Sequence, residues 1–263
     1  MRSILSKTLF DRRRSLLWWA VGFALLTTAI ISIYPSVRNS PELDELTRRL
    51  PAGLKALIGE RSLTSPVGYV QSRLFQLMVP LLLLVLAIGQ GADAIAGEER
   101  RKTLDLLLAN PISRARVVVD KFLALCAQLI LLGAVVWSLL VALTRVFDVD
   151  LGAGVLAAAT THALVFAIAF GAAALALGAA VGSKPIASGV ITSVAAASYV
   201  WESVTAIVPD LDRFAWLSPF HHYVASDPLV RGFGLPYLLA CVIAAVVLVT
   251  LGALSFFKRD IRN

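Results

Sequence analysis

The sequence predicts an all-α membrane protein of six transmembrane helices, and three observations carry that prediction. Of its 263 residues, 58% are hydrophobic and only 16% charged, with a mean hydropathy of +0.80, which excludes a soluble domain. Six apolar runs, at 16–34, 74–96, 117–147, 154–181, 185–208 and 235–257, reach the roughly 20 residues that a helix needs to cross about 30 Å of hydrocarbon. The 24 Lys and Arg outnumber the 17 Asp and Glu, and they are unevenly placed: fifteen bases lie on segments sharing a side with both termini, nine on the other side. By the positive-inside rule both termini are cytoplasmic and the chain is a multi-pass protein of the cell membrane. The charge excess of +7 is then a matter of orientation and of contact with lipid, and implies no nucleic-acid partner. Cys126 and Cys241 sit inside apolar runs as small hydrophobes, so no disulfide framework is expected.

Residues 1–263 read as a single transmembrane domain. In 1–15, Ile4, Leu5, Thr8 and Leu9 share a helical face flanked by Lys7 and Arg12 to Arg14, the pattern of an interfacial helix on anionic lipid. The run at 16–34 is longer than a signal-peptide core and no cleavage site follows, so it is read as an uncleaved span. In the loop after it, Ser40-Pro41-Glu42 starts and Pro51 ends a short outer helix striped by Leu43, Leu46 and Leu50. Gln90 and Asp93 close the second run, and Asp93 is expected to pair with Arg100 or be solvated at the interface rather than form an inner gate. Gln128 and His162 are single polar groups on apolar helices, satisfied by a neighbouring helix. Gly178-x-x-x-Gly182 allows close helix packing. Glu202, with Ser198, Trp201, Ser203 and Thr205 near the outer end of the fifth run, either pairs with Arg73 or Arg145 or lines an exit. The loop 209–234 holds Phe214, Trp216, Leu217, Phe220, Tyr223 and Phe233 and is expected to dip back toward the membrane as a re-entrant segment. His221 and His222 beside Asp210, Asp212 and Asp227 lack metal-ligand spacing, so no metal site is predicted.

The segment 98–111 is the most informative. It reads Glu98-Glu99-Arg100-Arg101-Lys102-Thr103-Leu104-Asp105-Leu106-Leu107-Leu108-Ala109-Asn110-Pro111. Thr103 caps a short helix, Leu104, Leu107 and Leu108 share a face, and Asn110-Pro111 ends it. Physics alone leaves two readings open, an interfacial helix between two spans and a docking knob for a cytosolic partner. Extended through Ile112-Ser113-Arg114, the segment resembles the glutamate-to-proline signature of the type-2 (ABC-2) permeases of ATP-binding cassette transporters. The six spans, basic N-terminus and aromatic loop before the last span extend that resemblance over nearly the whole chain. It implies a coupling helix at 98–111 seated in a groove of a cytosolic ATPase dimer, with Glu98, Glu99, Arg100, Arg101, Thr103, Leu104, Asp105, Leu107, Leu108 and Pro111 at the contact. It also implies a second permease copy or a related permease chain beside this one in the bilayer. One departure is Lys102, where relatives commonly have glycine before the Thr-Leu pair.

No stretch matches a phosphate-binding loop; the nearest imitation, Gly178 to Lys184, ends a span and is followed by Pro185. The chain is therefore expected to be no enzyme, with no catalytic residues and no cofactor of its own, ATP and Mg belonging to the partner subunit. Trp19, Phe23, Phe75, Met78, Tyr199 and Glu202 are the candidate lining of a pathway, and its apolar walls suit an amphipathic or hydrophobic cargo such as a drug, antibiotic or lipid. The expected function is the permease of an ATP-driven exporter; the alternatives are a non-transporting membrane anchor or sensor subunit of an ATPase complex and an intramembrane enzyme.

Overall fold

The computed structural model describes residues 4–38, 40, 45, 62, 64–103 and 113–259. The expected outer-loop helix and the Leu104, Asp105, Leu107, Leu108 and Pro111 part of 98–111 lie outside the described residues. Among those described, all regular structure is helical, and six helices are long and apolar enough to cross a membrane.

Helix α1, Ile4–Val37, runs without interruption from the basic flank into the first span. No proline or capping pair separates the two, so residues 4–15 of the expected 1–15 helix are the first turns of one long helix rather than a separate element. The second span starts earlier than its apolar run: in α2, Pro66–Val70, Ser65 Oγ accepts the Gly68 N–H at 3.1 Å and Pro66 takes the first helical position. A π-helical turn, Gln71–Phe75, then leads to α3, Met78–Ala94. The break coincides with Pro80, which cannot donate to the carbonyl four residues back and crowds it with its ring. Next come α4, Ala96–Arg100, and α5, Arg114–Val146, whose start is capped by Ser113 Oγ accepting from the Arg116 N–H at 3.3 Å. The long spans α6, Ala153–Val181, and α7, Lys184–Ile207, follow. A 3-10 helix, Pro209–Leu217, and the short α8, Pro219–Ala225, and α9, Pro228–Arg231, lead into α10, Leu235–Lys258.

Helices α3 and α6 form the centre. In their most apolar windows 61% and 56% of residues are buried, against 22% in α1 and 17% in each of α7 and α10, so the latter three are peripheral. Their outward side chains, such as Leu25, Val194, Leu239 and Ile243, suit hydrocarbon as solvent. Glycines bring the central backbones together: a Cβ on Gly91 would strike the Gly171 carbonyl oxygen, and one on Gly178 would lie 3.3 Å from the Ala92 oxygen. Gly182 does not share in that packing. At φ +72° it takes the left-handed conformation that ends α6, so only the first glycine of the pair serves helix contact.

The segment between α7 and α10 folds back along the bundle. Ser218 Oγ donates to the Ser198 carbonyl at 2.8 Å, and the Phe220 N–H donates to Ser198 Oγ at 2.9 Å. Ser198 lies nine residues before the end of α7, about 13 Å back along the helix. Phe220 and Tyr223 are buried against Phe166, and Tyr223 Oη donates to the Phe75 carbonyl at 2.7 Å.

Candidate functional site

The first turns of α1, the end of α10, the end of α3 and the starts of α5 and α7 meet at one end of the bundle, and three carboxylates organise it. Asp93, 7% exposed, accepts from Arg12 Nη2 of α1 at 2.5 Å, from Lys184 Nζ of α7 at 2.8 Å and from Arg101 at 3.4 Å. The expected partner, Arg100, is not the one used: the short turn of α4 presents Arg101 to Asp93 instead. Gly97 leaves room for the arrangement, since a Cβ there would collide with Asp93 Oδ1. Burying a carboxylate costs several kcal/mol unless cations and hydrogen bonds compensate, and here three cations from three segments converge on it.

Glu98 and Glu99 extend the network. Lys121 Nζ, nearly buried in α5, donates to Glu98 Oε1 at 2.6 Å, and Thr103 Oγ1 donates to Glu98 Oε2. Burial alone would raise the Glu98 carboxyl, but the bonds from Lys121 and Thr103 and the charges of Lys121 and Arg101 outweigh it and hold it below the usual carboxylate range. Glu99 pairs with Arg259, just past α10, while Arg114 Nη1 donates to the carbonyls of Phe256 at 3.1 Å and Arg259 at 2.8 Å. The segment that leads to 104–112 is thus bonded to α1, α5, α7 and the end of α10.

The chain leaves α4 through a two-bond cap, Thr103 N–H to the Glu98 carbonyl and Lys102 N–H to the Glu99 carbonyl, both at 3.0 Å. This motif demands a left-handed residue, and Lys102 supplies it at φ 56°. The lysine that departs from the resembled signature therefore stands where a glycine would be unstrained. Lys102→Gly is expected to stabilise the fold by about 1 kcal/mol, read as a rise in Tm; no rise would mean that this turn carries no strain.

At the opposite end Glu202 meets neither Arg73 nor Arg145. Its Oε2 lies 2.9 Å from His221 Nδ1, brought there by the folded-back α8. His162 donates from Nδ1 to its own helix at the Ala158 carbonyl, accepts at Nε2 from the Gly234 N–H and stacks on Tyr237. Gln128, expected to be satisfied by a neighbour, has a buried Oε1 without a partner among the described residues. Among those residues no three of His, Cys, Asp and Glu are arranged to hold a metal ion.

The candidate pathway residues do not converge on one wall. Trp19 and Phe23 line an open cleft of about 410 Å³ with Trp18, Gly22, Leu26 and Leu82 of α3. Phe75 is buried, Met78 is exposed, and Tyr199 packs edge-on against Phe220. The residues that sequence reasoning passed over as site members are Arg12, Lys121, Lys184 and Arg259. Lys121 alone carried a signal, being a cation inside an apolar helix start that must find a carboxylate.

A family model described as "ABC-2 family transporter protein" matches residues 2–261. No curated protein matches the chain.

Proposed function

The chain belongs to the ABC-2 transporter family, and from that premise we propose that it is the permease subunit of an ATP-driven exporter, with both termini cytoplasmic. Family membership implies an ATP-binding cassette ATPase as partner. In the proposed mechanism an ATPase dimer seats the Leu104, Leu107 and Leu108 knob, and its closure pulls on 98–111. The observation that carries the reading is the carboxylate network: Glu98 and Glu99, immediately ahead of the knob, are bonded to Lys121 and Arg259, and Asp93 to Arg12 and Lys184. A displacement of the knob is then passed to α1, α5, α7 and α10 together, which is what switching spans between two access states requires. A second copy or a related permease completes the path, and the aromatic Trp19 and Phe23 favour an amphipathic or hydrophobic cargo.

Leu107→Asp places a charge on the apolar face of the knob. It is expected to abolish co-purification of the ATPase and ATP-dependent efflux while leaving membrane insertion and Tm unchanged. Full ATPase recovery with normal efflux would refute the contact.

A further inference from the structure

The cleft between α1 and α3 has a shape and a charge pattern that name an occupant. Its walls are Trp18, Trp19, Phe23, Leu26 and Leu82, and its floor is Gly22, where a Cβ would meet nothing within 4 Å. Its volume of about 410 Å³ falls in the range of small-ligand sites, about 300–1,000 Å³. Trp18 is 77% exposed, so the groove opens sideways to the bilayer rather than into the bundle.

Arg14, Trp18, Gly22 and Leu26 follow one another at intervals of four along α1, so each neighbours the next and together they form one ridge winding slowly around the helix. At about 1.5 Å per residue the track from Arg14 to Leu26 is about 18 Å long, close to the depth of a single leaflet. Its head is cationic. Arg12 is taken by Asp93 and Arg13 lies over the Phe10 ring at 3.7 Å, but Arg14 is exposed and has no partner among the described residues. A helical side chain leans toward the helix N-terminus, which carries the Arg14 guanidinium away from the hydrocarbon and toward the headgroup layer.

We propose that this cleft holds one anionic phospholipid of the leaflet at the charged end, with its phosphate on Arg14 and an acyl chain along Trp18, Gly22 and Leu26. A phosphate accepts from guanidinium in two-pronged fashion, and a Gly22 floor with the Trp18 and Trp19 indoles on the turn before it and Leu26 on the turn after it suits a methylene chain. The cleft shares Trp19 and Phe23 with the candidate pathway, and it places a resident lipid beside α1 and α3, two helices joined at their charged ends through Arg12 and Asp93.

The test is native mass spectrometry of the full chain released from vesicles of equal phosphatidylglycerol and phosphatidylcholine. The wild type is expected to retain one phosphatidylglycerol in preference to phosphatidylcholine. Arg14→Gln is expected to weaken phosphatidylglycerol retention about fivefold, the worth of one surface cation toward anionic lipid, and to leave phosphatidylcholine unchanged. Gly22→Leu, whose Cβ would meet nothing within 4 Å and whose branched end would fill the cleft, is expected to lower retention of both without lowering Tm. Equal retention of the two lipids by the wild type, or unaltered phosphatidylglycerol retention in both variants, would overturn the proposal. So would efficient disulfide-linked dimers of Gly22→Cys in a Cys126→Ala, Cys241→Ala background, because a second copy would then cover the cleft.

Discussion

Asp93→Asn should destabilise the fold by about 3 kcal/mol, the largest loss expected from removing any one charge at that end. The amide keeps the shape and an acceptor oxygen but removes the charge that, among the described residues, faces Arg12 and Lys184 together. Removing one partner of a buried pair costs about 3–5 kcal/mol. The low end applies here because the cations, unlike the carboxylate, retain partial contact with solvent: their side chains are 28%, 32% and 46% exposed for Arg12, Lys184 and Arg101. The control lies on α5, where Arg116 and Asp120 pair at 4.0 Å with the arginine 74% exposed. Arg116→Gln should change stability by less than about 0.5 kcal/mol. Thermal unfolding of the purified protein separates the two, and a loss in Asp93→Asn no larger than in Arg116→Gln would remove Asp93 from the centre of the network. Combining Asp93→Asn with Lys184→Gln should cost less than the sum of the single changes, because the second substitution removes a cation that the first left uncompensated.

The consequence of that variant extends beyond stability. Among the described residues Asp93 is the group that bonds α1 and α7 to α3 at this end, so its neutralisation loosens the charged ends of two peripheral helices whose other polar contacts, such as Tyr69 to Ile30 and Ser198 to Ser218, are made by residues farther along each helix. ATP-dependent efflux should fall even below the unfolding temperature, whereas Arg116→Gln should transport normally.

Much of the architecture was legible in the sequence because the bilayer dictates it. Span length follows from hydrocarbon thickness and the charge census follows from lipid and insertion physics, so six helices could be counted without knowing their packing. Which helix sits at the centre was not legible. A helix apolar all round has no distinct face to read, and it is glycines such as Gly91, Gly171 and Gly252 that decide the neighbours. The carboxylate network was legible only in part. Proximity in sequence points Asp93 to Arg100, but its shortest contacts, to Arg12 and Lys184, come from 81 and 91 residues away. For Glu202 the sequence offers Arg73 and Arg145 as opposite charges, or a place at an exit. Its actual partner arrives through the Ser198 to Ser218 contact, a pairing of neutral hydroxyls that leaves no mark in composition or spacing. Lys102 is the reverse case, where the departure was visible in sequence and its cause, a left-handed residue in a helix cap, needed the structure.

Gly91→Ala should cost about 2–3 kcal/mol although it adds a single methyl group to an apolar helix in an apolar solvent. In lipid there is little hydrophobic gain in bringing two helices together, so close packing of small residues supplies the attraction. At Gly91 the approach is so close that a Cβ would strike the Gly171 carbonyl oxygen and would also lie 3.1 Å from its carbon and 3.2 Å from the Ala174 methyl. Backbone atoms cannot rotate aside as a side-chain end does, so α3 and α6 must separate, and overpacking of this kind costs about 1–3 kcal/mol or more. The displacement would also affect α5, because Gly171 faces Leu125, its Cβ position lying 2.7 Å from the leucine Cδ2. Gly89 provides the comparison two residues earlier on α3, with nothing within 4 Å of a Cβ. Gly89→Ala should instead be neutral or stabilising by up to about 1 kcal/mol, the propensity difference between the two residues in a helix. Tm values of the two variants in the same detergent decide the matter: equal values would mean that α3 and α6 are held by something other than the glycine contact.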